Sequence, residues 1–117
     1  MLPAIGRFAD NFSKTTGIAV QIEASEDLEL NDQLAAELFQ MVTEGLSNVL
    51  RHTQATRACI TLARYNDHCT LQIANDGAVP APFIPRSLAE RASDLGGGVR
   101  VERQADESTV VVIDIPL

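Results

Sequence analysis

Glu44, Asn48 and His52 stand at i, i+4 and i+8. On a helix this spacing drifts only about 40° per step, so three oxygen or nitrogen donors share one side and can converge on one site. A carboxylate beside a carboxamide suits a hard cation such as Mg²⁺, which takes oxygen ligands, keeps several waters and bridges to phosphates. The same spacing also describes an ordinary polar helix face, and position alone does not separate the two readings. Asn75-Asp76-Gly77 closes an apolar run. An amide or carboxylate there can read a ligand edge, and glycine lets a backbone come close, although the triplet is equally an ordinary turn. Gly96-Gly97-Gly98 needs no ligand: a dinucleotide fingerprint would open a helix after a strand, whereas this run ends one. His68 reads as a solvated turn residue, and Arg64, Arg100 and Arg103 as outward strand positions. Neither histidine has a nucleophile in a sharp turn beside it, which disfavours acyl-transfer chemistry.

These residues need elements to hold them. Pro3 opens, and Ile5, Phe8, Ala9 and Phe12 pattern, a first amphipathic helix that ends near Gly17. Ile18, Val20 and Ile22 alternate with Ala19, Gln21 and Glu23 as in a half-buried strand. An acidic stretch, Glu26, Asp27 and Glu29, precedes Asn31 or Asp32, either of which can cap a long helix over about 33–51. On that helix Leu34, Ala35, Leu38, Phe39, Val42, Gly45, Leu46, Val49 and Leu50 share one broad face. Glu37, Gln40, Glu44, Ser47, Asn48 and Arg51 share the other. Ala58, Ile60 and Leu62, then Cys69, Leu71 and Ile73, alternate around a polar turn near Asn66 and Asp67 and predict a hairpin. Pro80, Pro82 and Pro85 make 78–85 a loop. A short helix from Arg86 or Ser87 to Leu95 stops at the glycine run, and two strands follow near 99–103 and 110–115. The order predicts one α/β domain over 1–117: a two-layer sandwich with a mixed, largely antiparallel sheet and helices on one face.

Composition sets the outer limits. The chain has 117 residues, 16 acidic against 9 basic side chains, a net charge of −7 and an apolar fraction of 45%, enough for one core. A single Lys and 4% aromatics disfavour nucleic acid as a partner, which asks for basic stripes and stacking rings. No apolar run approaches the roughly twenty residues of a spanning helix, so direct membrane insertion is not expected and the cytoplasm is the default location. Cys59 and Cys69 fall at different heights of the hairpin and read as free thiols without metal spacing.

Taken in order, EGLSNVLRHTQAT, a hairpin, NDG, a loop, LAERASDLGGGVRV and a closing TVVVIDIPL resemble the ATP-binding catalytic domain of two-component sensor histidine kinases. The likeness is greatest to the subfamily paired with NarL-like response regulators. It covers essentially the whole chain and implies the Bergerat sandwich shared with gyrase, with ATP and Mg²⁺ as ligands. By resemblance Asn48 binds Mg²⁺, Glu44 holds water near the reacting phosphate, Arg51 and His52 lie beside the phosphates, and Arg86 and Ser87 belong to the lid. Asn75, Asp76 and Gly77 fall on the base side, and Thr109 is a further nucleotide-binding position. The partner so implied is a histidine on a separate dimerisation domain, with a response regulator reached indirectly. Neither His52 nor His68 lies in such a phosphoacceptor helix, so the chain is read as a fragment or stand-alone domain, unable to autophosphorylate alone.

The sequence departs from the family pattern in places. Asn75 stands where an Asp accepts a hydrogen bond from the adenine amine, and a neutral acceptor makes a bond about half as strong. Val79 replaces a second glycine, Ile84 and Ser87 replace two lid glycines, and Pro85 removes a backbone donor. Two outcomes stay open: a working kinase domain, or a kinase-like module that binds nucleotide weakly or not at all and acts through protein interactions.

Overall fold

The computed structural model describes residues 2–25, 28–77, 85–104 and 108–117, with the Leu2 side chain left aside. Its elements are α1 (Leu2–Thr16), β1 (Ala19–Ala24), α2 (Asp32–His52), β2 (Arg57–Tyr65), β3 (His68–Asn75), α3 (Arg86–Asp94), β4 (Gly98–Arg103) and β5 (Thr109–Pro116). They follow the expected order. The expectations for Glu26, Asp27, Val79, Ile84 and most of the proline-rich loop fall outside the described residues.

Asn31 caps α2, its Oδ1 accepting from Leu34 N–H at 2.8 Å, which satisfies one of the backbone donors a helix start leaves over. The stop of α3 is equally local. Gly96 takes φ +82°, Gly97 N–H donates to Ala92 O at 2.8 Å and Gly96 N–H to Ser93 O at 2.9 Å, a double closure that needs a left-handed residue.

The sheet order is β1-β2-β3-β5-β4. β2, β3, β5 and β4 pair antiparallel, while β1 pairs parallel with β2, the strand reached through α2. Alternation sends Ala58, Ile60, Leu62, Cys69, Leu71, Ile73, Val111, Ile113 and Ile115 into one buried cluster with Ile5 of α1, Leu38, Met41, Val42, Leu46 and Val49 of α2, and Leu88 and Ala92 of α3. All three helices thus cover one face. Two details of the α2 wheel differ from expectation. Met41, not counted on the apolar face, is fully buried in line with Leu34 and Leu38, whereas Leu50 is 47% exposed near the end of the helix. Gly45 sits so close to Ile73 that a Cβ there would overlap the isoleucine side chain, which draws this part of α2 down onto β3. Cys59 and Cys69 are free, in register with Ala74 and Arg64 respectively.

Candidate functional site

The inward positions of β3 run Cys69, Leu71, Ile73 and then Asn75, so strand alternation carries a polar side chain into the apolar layer at the end of the strand. Asn75 and Thr109 are the two buried polar side chains among the described residues, at 6% and 3% exposure. They are register partners on β3 and β5, and Ala58 of β2 and Arg103 of β4 complete the same transverse row. The Thr109 hydroxyl is buried with no hydrogen-bond partner among the described residues. A buried hydroxyl is normally satisfied, and an orphan in a native fold points to a bound water or ligand.

Asn75 Oδ1 accepts from Gly77 N–H at 2.9 Å, an Asx turn that bends the chain out of β3. Gly77 is buried against the exit from α2: a Cβ would lie 2.7 Å from Ala55 N and 3.1 Å from Thr53 Cβ, too close for any side chain. Asp76 points the other way. Its Oδ1 accepts from Thr56 N–H at 2.8 Å and Arg57 N–H at 3.0 Å, and its Oδ2 accepts from the Thr56 hydroxyl at 2.7 Å. The Thr56 hydroxyl and then the Arg57 N–H hold this carboxyl below its ordinary range. Both Asp76 oxygens are therefore engaged in tying the α2–β2 connection to the end of β3. Asn75 alone of that pair faces inward.

On α2 the expected donors stand at the C-terminal half. Glu44 and Asn48 are half-buried, and Arg51 and His52 are exposed at the end of the helix. Asn48 Oδ1 accepts from Arg51 Nη2 at 3.0 Å. Glu44 is held from α3: Arg91 Nε donates to its Oε1 at 2.7 Å and the Ser87 hydroxyl to its Oε2 at 2.8 Å. Arg91 also lies 3.5 Å from Glu37 Oε2. The Glu44 hydrogen bond leads in pushing the guanidinium above its ordinary value. Ser87, foreseen as a lid residue, thus meets Glu44 directly. The clasp itself was not foreseen, and its one visible signal is the i, i+4 spacing of Ser87 and Arg91 on α3. Arg86, at the first position of α3, is exposed and follows Pro85; no side chain among the described residues caps that helix start, and its first N–H groups are not bonded within the helix.

The residues fit a nucleotide with its metal in kind. Glu44 and Asn48 are two oxygen donors on successive turns, the sparse set that Mg²⁺ accepts when phosphates and water complete its shell. No cluster of three or more His, Cys, Asp or Glu side chains able to cage a metal occurs among the described residues. No helix among them is long and apolar enough to cross a membrane. His68 opens β3 with its side chain half exposed, 3.5 Å from Asp67. Arg100 lies on an exposed strand position paired with Glu102 at 2.8 Å and Asp114 at 3.3 Å.

Known proteins share this fold. No protein-family model matches the chain. The sensor histidine kinase NarS of Mycobacterium tuberculosis is 31% identical across 98% of the chain, and the nitrate/nitrite sensor protein NarX of Escherichia coli is 29% identical across 95%. The chain spans 29% of the length of the first and 20% of the second. Among solved structures, the blue-light activated histidine kinase EL346 of Erythrobacter litoralis superposes with a TM-score of 0.75 at 23% identity, over 97% of this chain and 40% of that one. The nucleotide-free catalytic domain of histidine kinase ThkA superposes with a TM-score of 0.77 at 18% identity, over 99% of this chain and 92% of that one. ShkA, solved full-length in complex with AMPPNP, superposes at 0.76 and 16% identity, over 98% of this chain and 29% of that one. By sequence along nearly its whole length the chain is a homologue of the sensor histidine kinases, and its fold is the one seen in their solved catalytic domains.

Proposed function

We propose that this chain binds Mg-ATP and presents the γ-phosphate to a histidine on a separate helical dimerisation domain, with a response regulator receiving the phosphoryl group afterwards. The observation that carries the reading is the buried Thr109 hydroxyl, without a partner among the described residues, beside inward-facing Asn75 at the end of the sheet. A base seated against that row gives the hydroxyl its partner, directly or through water. A structural relative held with AMPPNP supports the same ligand class.

In this reading each residue has a task. Asn75 and Thr109 take the base, and Gly77 keeps the turn tight against Ala55. Asn48 and Glu44 would hold Mg²⁺, which supplies charge neutralisation on the phosphates. Arg51 and His52 at the end of α2 lie on the phosphate side, with Arg86 and the open N-terminus of α3 offering a cation and backbone N–H groups. The bond broken is the one between the β-bridging oxygen and the γ-phosphorus. The bond formed is to the acceptor imidazole nitrogen, and ADP leaves. Transfer of this kind depends on alignment and charge neutralisation rather than on covalent work by the protein. Thus Glu44 must orient water or the acceptor while its carboxylate is free of α3, and the Ser87 and Arg91 bonds have to open or rearrange first.

Calorimetric titration of Mg-ATP into the chain tests this. Binding that disappears in Asn48→Ala bears it out, and no heat at millimolar nucleotide sinks it. A second reading, a kinase-like interaction module that binds nucleotide weakly or not at all, is favoured by the clasp on both Glu44 oxygens. It predicts the silent titration.

A further inference from the structure

On α2, each of the two side chains that would hold a metal already meets a cation of the chain itself. Arg91 Nε donates to Glu44 Oε1 at 2.7 Å, and Arg51 Nη2 donates to Asn48 Oδ1 at 3.0 Å. A guanidinium keeps its proton in a protein, so each arginine is a permanent positive charge beside an oxygen that suits a divalent cation. The two arginines are not equivalent. Arg51 stands three residues from Asn48 on the same helix and can withdraw by turning its own side-chain torsions. Arg91 comes from α3, 47 residues from Glu44 in sequence, so its contact joins two helices and cannot open without loosening one from the other.

Arg91 also has a second carboxylate within reach. Glu37 precedes Glu44 by two helical turns on the same side of α2, and its Oε2 lies 3.5 Å from Arg91 Nη1. The Glu44 and Glu37 side chains are 25% and 35% exposed, so neither is cut off from water and the guanidinium can change partners at little cost. It cannot share Glu44 freely with a metal. A guanidinium and a divalent cation on one carboxylate repel each other, and a single negative charge does not balance both. The Ser87 hydroxyl on Oε2 is neutral and adds no such repulsion.

We propose that Arg91 is a positioning residue that stands in for the metal at Glu44 in the metal-free chain and passes to Glu37 when a divalent cation is taken up. Cation binding and the hold of α3 on α2 then oppose each other. The inference rests on the reading of Glu44 and Asn48 as the metal side of a nucleotide site and goes beyond it in naming what competes there. Such coupling is reciprocal: whatever strengthens the hold of Arg91 on Glu44 weakens the cation by the same factor.

The quantity to measure is the Mg²⁺ concentration that gives half-maximal ATP binding, by calorimetry at fixed ionic strength. Arg91→Gln lowers it by about two- to fivefold, the scale of one partly exposed ion pair. Glu37→Gln raises it, because Arg91 then has no carboxylate to move to. In the Arg91→Gln background the same Glu37 change has no effect, which separates a relay through Arg91 from a general loss of negative charge. An Mg²⁺ requirement unchanged or raised in Arg91→Gln overturns the proposal, as does an equal Glu37 effect in both backgrounds. ATP binding that ignores Mg²⁺ overturns it while leaving the nucleotide reading standing, and no ATP binding at any Mg²⁺ concentration overturns both. A further readout needs no variant: the Arg91 Nε–H resonance in the unaltered chain moves toward that of free arginine when Mg-ATP is added, and a resonance that stays in place overturns the proposal.

Discussion

Asp76 is the strut that holds the end of β3 to the start of β2, and its removal tests how that corner is built. In Asp76→Ala three hydrogen bonds to a carboxylate disappear: from Thr56 N–H at 2.8 Å, from Arg57 N–H at 3.0 Å and from the Thr56 hydroxyl at 2.7 Å. Bonds to a charged group contribute about 1.5–3 kcal/mol each when water is excluded. Here the side chain is exposed and water takes over the abandoned donors, so about 0.5 kcal/mol per bond is the fitting scale, or about 1–2 kcal/mol in all. For a domain of this length that lowers the melting temperature by about 3–10 °C. The pH dependence has a definite sign. The folded carboxyl titrates below its usual value of 3.8, so the stabilisation is present above that value and fades as pH falls through the lower, folded one. Thermal unfolding followed by circular dichroism at pH 7 and in steps down to pH 3 should show a gap between wild type and variant that narrows only at the acid end. Asp76→Asn keeps an oxygen for the two backbone donors and should fall between them at pH 7, and its margin over Asp76→Ala should not change with pH, since neither side chain titrates. An Asp76→Ala gap that is absent at pH 7, or equally wide at pH 3, would refute the reasoning.

Two further outcomes follow from the packing. Met41→Ala empties a fully buried volume and should cost about 2–5 kcal/mol in urea denaturation, whereas Leu50→Ala, 47% exposed, should stay within about 0.5 kcal/mol; similar losses from both would contradict the burial pattern. Arg91→Ala leaves Ser87 as the sole hold of α3 on Glu44, so amide hydrogen exchange over 86–94 should quicken while exchange in β3 and β5 is unchanged; an unaltered α3 would show that the clasp does not restrain it.

The elements were legible wherever their signals are local. A period of 3.6 along α2, alternation along β2, β3 and β5, an Asn cap and a glycine stop each act over a few residues, and each appears where the spacing put it. Leu50 broke the pattern because periodicity says which way a side chain points and not how far the sheet beneath extends. Alternation also held an unused clue: with Cys69, Leu71 and Ile73 inward, Asn75 must follow them and Asp76 must face out. Contacts across long separations were not legible. Glu44 meets Ser87 and Arg91 across 43 and 47 residues, and β1 finds its parallel partner only after α2 has crossed over; both depend on the assembled layers rather than on any neighbouring residue. Thr109 came forward through family likeness alone, and its isolated hydroxyl became visible only once β5 lay against β3.

The stop of α3 makes that helix a lever with a fixed end. Gly96 and Gly97 close it back on Ala92 and Ser93, and Gly97 lies so tightly against the Asp114 backbone that no side chain fits between them. Its other end begins uncapped at Pro85. At about 1.5 Å per residue, Ser87 is about 14 Å from the pinned end and Arg91 about 7.5 Å. A swing of about 10° therefore carries Ser87 about 2.4 Å, well past hydrogen-bond reach, and Arg91 only about 1.3 Å, a distance its long side chain can absorb. Glu44 would be released in sequence, first Oε2 and then Oε1, with the guanidinium acting as the last tether.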